Sequence, residues 1–386
     1  MAIMTSLIAL TIDAILPALP DIGAGLNVGN ENDLQLLIAF VFFGLSIGQL
    51  FYGPLSDSRG RKPAVYLGLM FFFAGSVVCL MAENLTVMLV GRFLQGFGLA
   101  GPRSVSMAIV RDQYDGDQMA KVMSFIMAVF IVVPAVAPAL GQAIVWLLNW
   151  QSIFVVFILL AVIVGVWFAL RQPETLTEQN KRPFSMNSFV SGCKELLTHP
   201  VVMGYTVAAG FITAPFVAYL SMSQQIFQVQ YDLQEMFPAV FASLALSIGF
   251  ASFINGKLVT KFGMERMSHW AAKVMFTAAM IIIPISIWFN GHPPLAMFIL
   301  YCIVTLFSVG ILFGNLNAMA MTPVGHIAGL GAAVVGSLAT LGALPITVVI
   351  GKLYDGTVMS MVCGFGVFSF LTILALYWVK TKDQNS

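Results

Sequence analysis

The sequence predicts an all-α membrane protein of twelve transmembrane helices in two pseudo-symmetric six-helix bundles. Three observations predict it: scarce charge, apolar runs of bilayer length along the whole chain, and one long polar stretch near its middle. Of 386 residues, 59% are apolar and only 9% charged, whereas a soluble domain carries about 25% charge. So small a charged fraction cannot clothe a water-facing surface, and a lipid bilayer is the expected solvent. The net charge of +1 gives no footprint for a nucleic-acid partner.

A helix needs about 20 apolar residues to cross a bilayer core. Runs near that length fall at about 2–20, 34–55, 63–82, 87–110, 119–145, 151–170, 200–222, 235–255, 268–289, 295–318, 328–350 and 358–379. Backbone groups in lipid must be satisfied internally, and runs this long suit helices rather than barrel strands. The first run lacks a basic start and a small-residue cleavage site, so it reads as a spanning helix and not a signal peptide. The four cysteines, Cys79, Cys193, Cys302 and Cys363, form no Cys-x-x-Cys pair and suggest neither a disulfide framework nor a zinc site.

Charge sets the expected orientation. With both termini in the cytoplasm, the inner loops carry Arg59, Arg61, Lys62, Arg111, Lys121, Arg171, Lys181, Arg182, Lys194, Lys257, Lys261, Arg266, Lys380 and Lys382, while the outer loops carry only Lys352. That asymmetry matches the positive-inside rule and needs an even number of spans.

The polar stretch from Arg171 to about Pro200 divides six spans from six. The expected domains are therefore 1–170, a cytoplasmic linker over 171–199, and 200–386. The halves echo each other. Asp33-Leu34-Gln35 and Leu45-Ser46-Ile47-Gly48 on the second span recur in order as Asp232-Leu233-Gln234 and Leu246-Ser247-Ile248-Gly249 on the eighth. Parallel six-helix repeats are one signature of secondary transporters.

The turn after the second span reads Gly53-Pro54-Leu55-Ser56-Asp57-Ser58-Arg59-Gly60-Arg61-Lys62-Pro63. Gly53 is expected to permit close helix approach and Gly60 a tight turn. Asp57 can meet the positive end of a neighbouring helix, and the basic residues can pair with it or with other carboxylates. A turn wired this way can latch one conformation and release it. The segment resembles motif A of the major facilitator superfamily, in which Arg usually follows the Asp directly. Here Ser58 holds that place and Arg59 follows. Gly256 to Gly263 looks like a degraded copy without the Asp.

Arg92-Phe93-Leu94-Gln95-Gly96-Phe97-Gly98 is similar to motif B of drug:proton antiporters. Pro134-Ala135-Val136-Ala137-Pro138-Ala139-Leu140-Gly141 is similar to antiporter motif C, with Ala137 and Gln142 where glycines are usual. Two prolines and small residues bend a helix and let it pack closely. Together with Ile12 to Pro20, Gly48 to Asp57, Ile109 to Asp112 and Pro173-Glu174-Thr175, these segments resemble the Bcr/CflA group of bacterial drug-resistance transporters. The resemblance covers the N-terminal half. It implies a proton-coupled antiporter that exports lipophilic or cationic drugs across the bacterial inner membrane by alternating access. An exporter of one endogenous metabolite or siderophore, or an importer or uniporter, would share the scaffold.

Asp13 is the carboxylate placed well inside an apolar span, and ionisable groups there are functional candidates. It lies roughly 10 Å deep from the end of the first span at Pro20, and Arg92 roughly 9 Å deep from the same side. The two are expected to meet, directly or through water, and to form the proton-coupling site; the resemblance implicates the same pair. Arg103, three turns from Arg92, should share its face and lie near the inner surface, snorkelling or pairing with a loop.

Aromatic and amide side chains mark the expected substrate cavity: Phe211, Thr213, Pro215, Phe216 and Tyr219 on the seventh span, Asn315 and Asn317 on the tenth, and Gln49 and Gln95 on the second and fourth. An apolar lining with few polar anchors suits a lipophilic small molecule. His199, His269, His292 and His326 are widely spaced, no nucleophile, metal or nucleotide motif accompanies them, and the phosphate loop Gly-x-x-x-x-Gly-Lys-Ser/Thr is absent. The expectation is a monomeric transporter, not an enzyme, with no cofactor and a proton gradient as its energy source.

Overall fold

The computed structural model describes residues 1–177, 181 and 185–383, without the side chains of 117, 120, 188 and 383. Arg182, counted above among the basic loop residues, lies outside them. The chain forms two compact units, Met1–Val190 and Ser191–Ser386. Every regular element among the described residues is helical.

The first unit contains α1 (Ala2–Asp13), a short 3-10 turn (Leu16–Ala18), α2 (Leu19–Gly25), α3 (Leu36–Arg59), α4 (Arg61–Leu80), α5 (Leu85–Gln113), α6 (Gly116–Leu147) and α7 (Gln151–Arg171). Next comes α8 (Met186–Thr198), which crosses the boundary. The second unit continues with α9 (Pro200–Gln224), extended by a π-helical turn to Gln230, then α10 (Phe237–Phe262), α11 (Met264–Trp288), α12 (Leu295–Met321), α13 (Ala328–Lys352) and α14 (Met359–Asp383).

Among the described residues, ten helical stretches are long and apolar enough to cross a membrane. One of them, Leu295–Lys352, is two helices, because Pro323 and Gly325 break it at 322–327. The twelfth long helix is α5, whose arginines and glycines lower its hydropathy. It packs mainly on α3 and α4, and its buried polar groups, Arg92, Gln95 and Ser106, face protein and not lipid.

Two departures from the expected spans have clear causes. The first span is broken, not continuous over 2–20. Pro17 has no N–H to offer the Asp13 carbonyl and its ring obstructs that turn, so α1 stops at Asp13 and the chain resumes as α2 beyond Leu19. The linker also contains a helix of its own, α8. In the second unit its Glu195 Oε1 lies 3.0 Å from His326 Nε2 on the connection between α12 and α13.

Close approach explains the tight first unit. A Cβ on Gly96 would run into the Val41 carbonyl of α3, and one on Gly44 into the Phe93 carbonyl of α5. Backbones meet there directly, as small residues allow in membranes. Gly53, by contrast, has nothing within 4 Å of a Cβ position, so its expected role in close helix approach does not hold.

Candidate functional site

The break in α1 organises the deepest polar cluster. A helix end leaves its last four carbonyls without intrahelical partners. Thr11 is among them, and Arg92 Nη2 donates to its oxygen at 3.0 Å. Arg92 Nε donates to the Leu37 carbonyl of α3 at 3.1 Å, and Nη1 to Gln95 Oε1 at 2.7 Å. The chain continues from Gln95 Nε2 to Ser76 Oγ at 2.9 Å and from Ser76 to the Phe72 carbonyl at 2.8 Å. Arg92 is fully buried. It therefore ties α1, α3, α4 and α5 together and puts a cation at the C-terminal end of α1, where the helix dipole favours one.

Asp13 is the last residue of α1 and is buried. Among the described residues it forms no ion pair and no hydrogen bond, with Arg92 or any other side chain. The expected direct meeting is absent because backbone carbonyls and Gln95 occupy the guanidinium. What abuts the break instead is α6. A Cβ on Gly141 would collide with the Ala14 carbonyl, one residue beyond Asp13. Pro138 lies one turn earlier on α6 and Pro134 a turn before that. The Pro-and-Gly stretch thus seats α6 closely against the broken helix.

A second cluster lies at the end of the unit that carries the basic turn. Gly60, at φ 110°, joins α3 to α4. Arg61 Nη1 binds Asp57 Oδ1, while Nε and Nη2 bind the two oxygens of Asp112 on α5 at 2.8 and 3.3 Å. Ser56 Oγ accepts from Arg61 Nη1 at 2.9 Å, and Thr175 Oγ1 donates to Asp112 Oδ2 at 2.8 Å. Glu174 completes the cluster. Its Oε1 accepts from the backbone N–H groups of Arg61, Thr175 and Leu176, and its Oε2 from that of Lys62, all at 3.0 Å. A carboxylate from beyond α7 thus caps the positive N-terminus of α4. Partial burial works to raise the Glu174 pKa, but the N–H groups of Leu176, Lys62, Arg61 and Thr175 hold it below the ordinary glutamate value.

Two expectations for this turn need correction. Arg59 is exposed and makes no ion pair among the described residues; Arg61 alone of the basic set forms one. The partners that matter are Asp112 and Glu174, which the sequence marks only through the resemblance. The signal that could have found them is chemical: an N-terminal helix turn of three basic or proline residues, needing carboxylates from elsewhere in the chain.

The expected cavity residues scatter. Gln95 is fully buried within the Arg92 network and lines no accessible cavity, because its amide bridges Arg92 to Ser76. Asn315 is also buried. It exchanges hydrogen bonds with Asn255 of α10 at 2.8 and 3.1 Å, so its amide is spent inside the second unit. Asn317 is exposed and donates to its own helix at the Phe313 carbonyl. Gln49 is half-buried on α3. Phe216 and Tyr219 stack, Phe216 meets Phe313 of α12 edge-on at 5.3 Å, and Tyr219 lies flat against Phe241 of α10 at 6.3 Å. Phe211, half-buried, meets Phe368 of α14 instead. Phe216 and Tyr219 thus form one aromatic wall, and Phe211 belongs to another contact.

Among the described residues, twelve helical spans in two units, with a buried acid at a helix break, define a secondary-transporter architecture. Residues 1–346 match the Major Facilitator Superfamily, and the chain belongs to that family. It is a multi-pass membrane protein. It is 30% identical over 335 residues to the uncharacterized MFS-type transporter YdgK of Bacillus subtilis, covering 86% of this chain and 82% of that one. It is 29% identical to a bicyclomycin resistance protein homolog of Haemophilus influenzae, covering 100% and 96%. Among solved structures, the xylose transporter XylE from E. coli superposes with a TM-score of 0.77 at 13% identity, covering 97% and 95%; that likeness concerns the fold.

Proposed function

We propose that this protein is a proton-coupled secondary active exporter of lipophilic or cationic small molecules, drugs among them. It works by alternating access in a bacterial inner membrane, as a monomer with both termini in the cytoplasm. The proton gradient, with no cofactor, supplies the energy. The drug-resistance relative of similar length supports the substrate class. One observation carries the coupling: Asp13, buried and without a partner among the described residues, closes a broken helix beside a permanent cation.

The chemistry follows from that arrangement. Arg92 stays charged throughout and holds the end of α1 in place through the Thr11 carbonyl. Among the described residues Asp13 has no competing partner, so it exchanges its proton with whichever aqueous face reaches it. A proton arriving from outside and a substrate leaving toward it compete for one transporter state, and that competition is antiport. Gly141 lets α6 follow the break as it moves. Arg61, shared between Asp57 and Asp112, latches the basic end in one state and must let go in the other.

Everted membrane vesicles test the coupling. A lipophilic cationic dye such as ethidium should release protons from acid-loaded vesicles containing the wild type. With Asp13→Asn, proton release should fall to the level of empty vesicles at undiminished protein content. Normal proton release by that variant would remove Asp13 from the coupling, and no proton release by wild type would point to a uniporter.

A further inference from the structure

Three arginines lie on α5: Arg92, Arg103 and Arg111. Eleven residues are three turns and about 20°, so Arg103 shares the stripe of Arg92. That stripe faces protein. Arg92, Gly96, Leu99, Ser106 and Val110 all lie on it and all are buried. Arg103 sits among them and is nevertheless exposed. A side chain exposed in the middle of a buried stripe borders a recess, not lipid.

The guanidinium in that recess is unanswered. Among the described residues it forms no ion pair or hydrogen bond, so the loop pairing expected from sequence is absent. The carboxylates of the basic end are engaged elsewhere, Asp57 and Asp112 with Arg61 and Glu174 with the start of α4. Arg103 also lies nine residues from Asp112, about 14 Å further along the helix into the spanning region. Unpaired cations at such depth are costly and mark solute pathways. The planar fork of a guanidinium matches the two oxygens of a carboxylate or phosphate.

We propose that Arg103 receives an anionic oxygen group of the exported solute, so that the solutes handled best are amphiphiles bearing an acid, zwitterions included. This rests on the export reading above and narrows its substrate class. The same oxygen chemistry could come from a lipid phosphate, and the experiment separates the two.

The test is equilibrium dialysis of the purified full chain in a neutral detergent, with norfloxacin and its ethyl ester as probes. The pair differs in a single carboxylate. Wild type should bind the acid at least tenfold more tightly than the ester. Arg103→Gln should lose at least tenfold for the acid and less than twofold for the ester, and Arg103→Lys should fall between. Phosphatidylglycerol added to the detergent should leave the acid's binding unchanged. The proposal is overturned if wild type shows no preference for the acid, if Arg103→Gln weakens both probes alike, or if it weakens neither. It is equally overturned if the anionic lipid displaces the acid from wild type. Because dialysis needs no gradient, loss of the proton-coupling reading in vesicles would leave this result standing.

Discussion

Both halves turn from their second long helix into their third on a glycine at positive φ, Gly60 at 110° and Gly263 at 81°. The backbone of the turn is repeated; its chemistry is not. In the first unit Arg61, Asp57, Asp112 and Glu174 wire the turn to α5 and to the segment after α7. In the second, Thr260 and Met264 stand where Asp57 and Arg61 would be, and an exposed Glu265–Lys380 pair at 3.2 Å joins α11 to α14 instead. The seams between second and fourth long helices differ in the same way. On α3 and α5, Gly44, Gly48 and Gly96 bring backbones into contact. On α10 and α12, Gly310 meets the Ile248 carbonyl, beside the Asn255–Asn315 amide pair. Duplicated architecture has kept its steric requirements, while the charged wiring is concentrated in the first half.

The largest effect should come from forcing the first seam apart. Gly96→Ala places a methyl against the Val41 carbonyl on a helix that cannot yield locally, and should cost about 3 kcal/mol or more, the upper end of overpacking. Gly310→Ala, meeting the Ile248 carbonyl at 2.6 Å, should cost about 1–2 kcal/mol. Thermal unfolding of the two variants in detergent checks the order, and equal losses would erase the contrast between the seams.

Next comes the wiring itself. Arg61→Met imports the residue of the second-half turn. Breaking a fully buried pair costs about 3–5 kcal/mol. The Asp57 side chain is 55% exposed, so solvent screening reduces this to about 1–2 kcal/mol. Export rate should fall further than stability if the turn is a latch, and the ratio of the two losses in vesicles and in thermal melts measures that.

The smallest effect concerns pH. The Glu174 pKa is lowered on folding, so its cap contributes fully above the ordinary glutamate value. The contribution fades as pH falls toward the lower folded-state value. Melting temperature should therefore drop more steeply with acid in wild type than in Glu174→Gln. Identical slopes would show that the cap adds nothing.

The helices were legible because lipid leaves the backbone few choices, and apolar length reports them directly. Motif spacing located Asp57, Gly60, Arg61 and Arg92, and a lone carboxylate in an apolar run located Asp13. Their partners were not legible, for two reasons. Arg92 binds two main-chain carbonyls, Leu37 on α3 and Thr11, the latter freed by the break at Pro17, and a carbonyl has no letter in a sequence. Asp112 and Glu174 reach Arg61 across 51 and 113 positions of chain, a distance that no local pattern spans. The helix α8 hid within polar linker composition. Asn315 and Gln95 looked like ligand contacts because an amide in an apolar run gives no hint of whether another polar side chain awaits it.

Helix α5 carries a consequence for biogenesis. Its sequence alone falls short of the apolarity that the other spans have, and its glycines and Arg92 are sheltered only when neighbouring helices surround it. A nascent chain ending at Gln113 would hold a segment poorly suited to partition from the translocon by itself. Integration of this span is therefore expected to be an act of assembly, in which helices already in the bilayer recruit their neighbour.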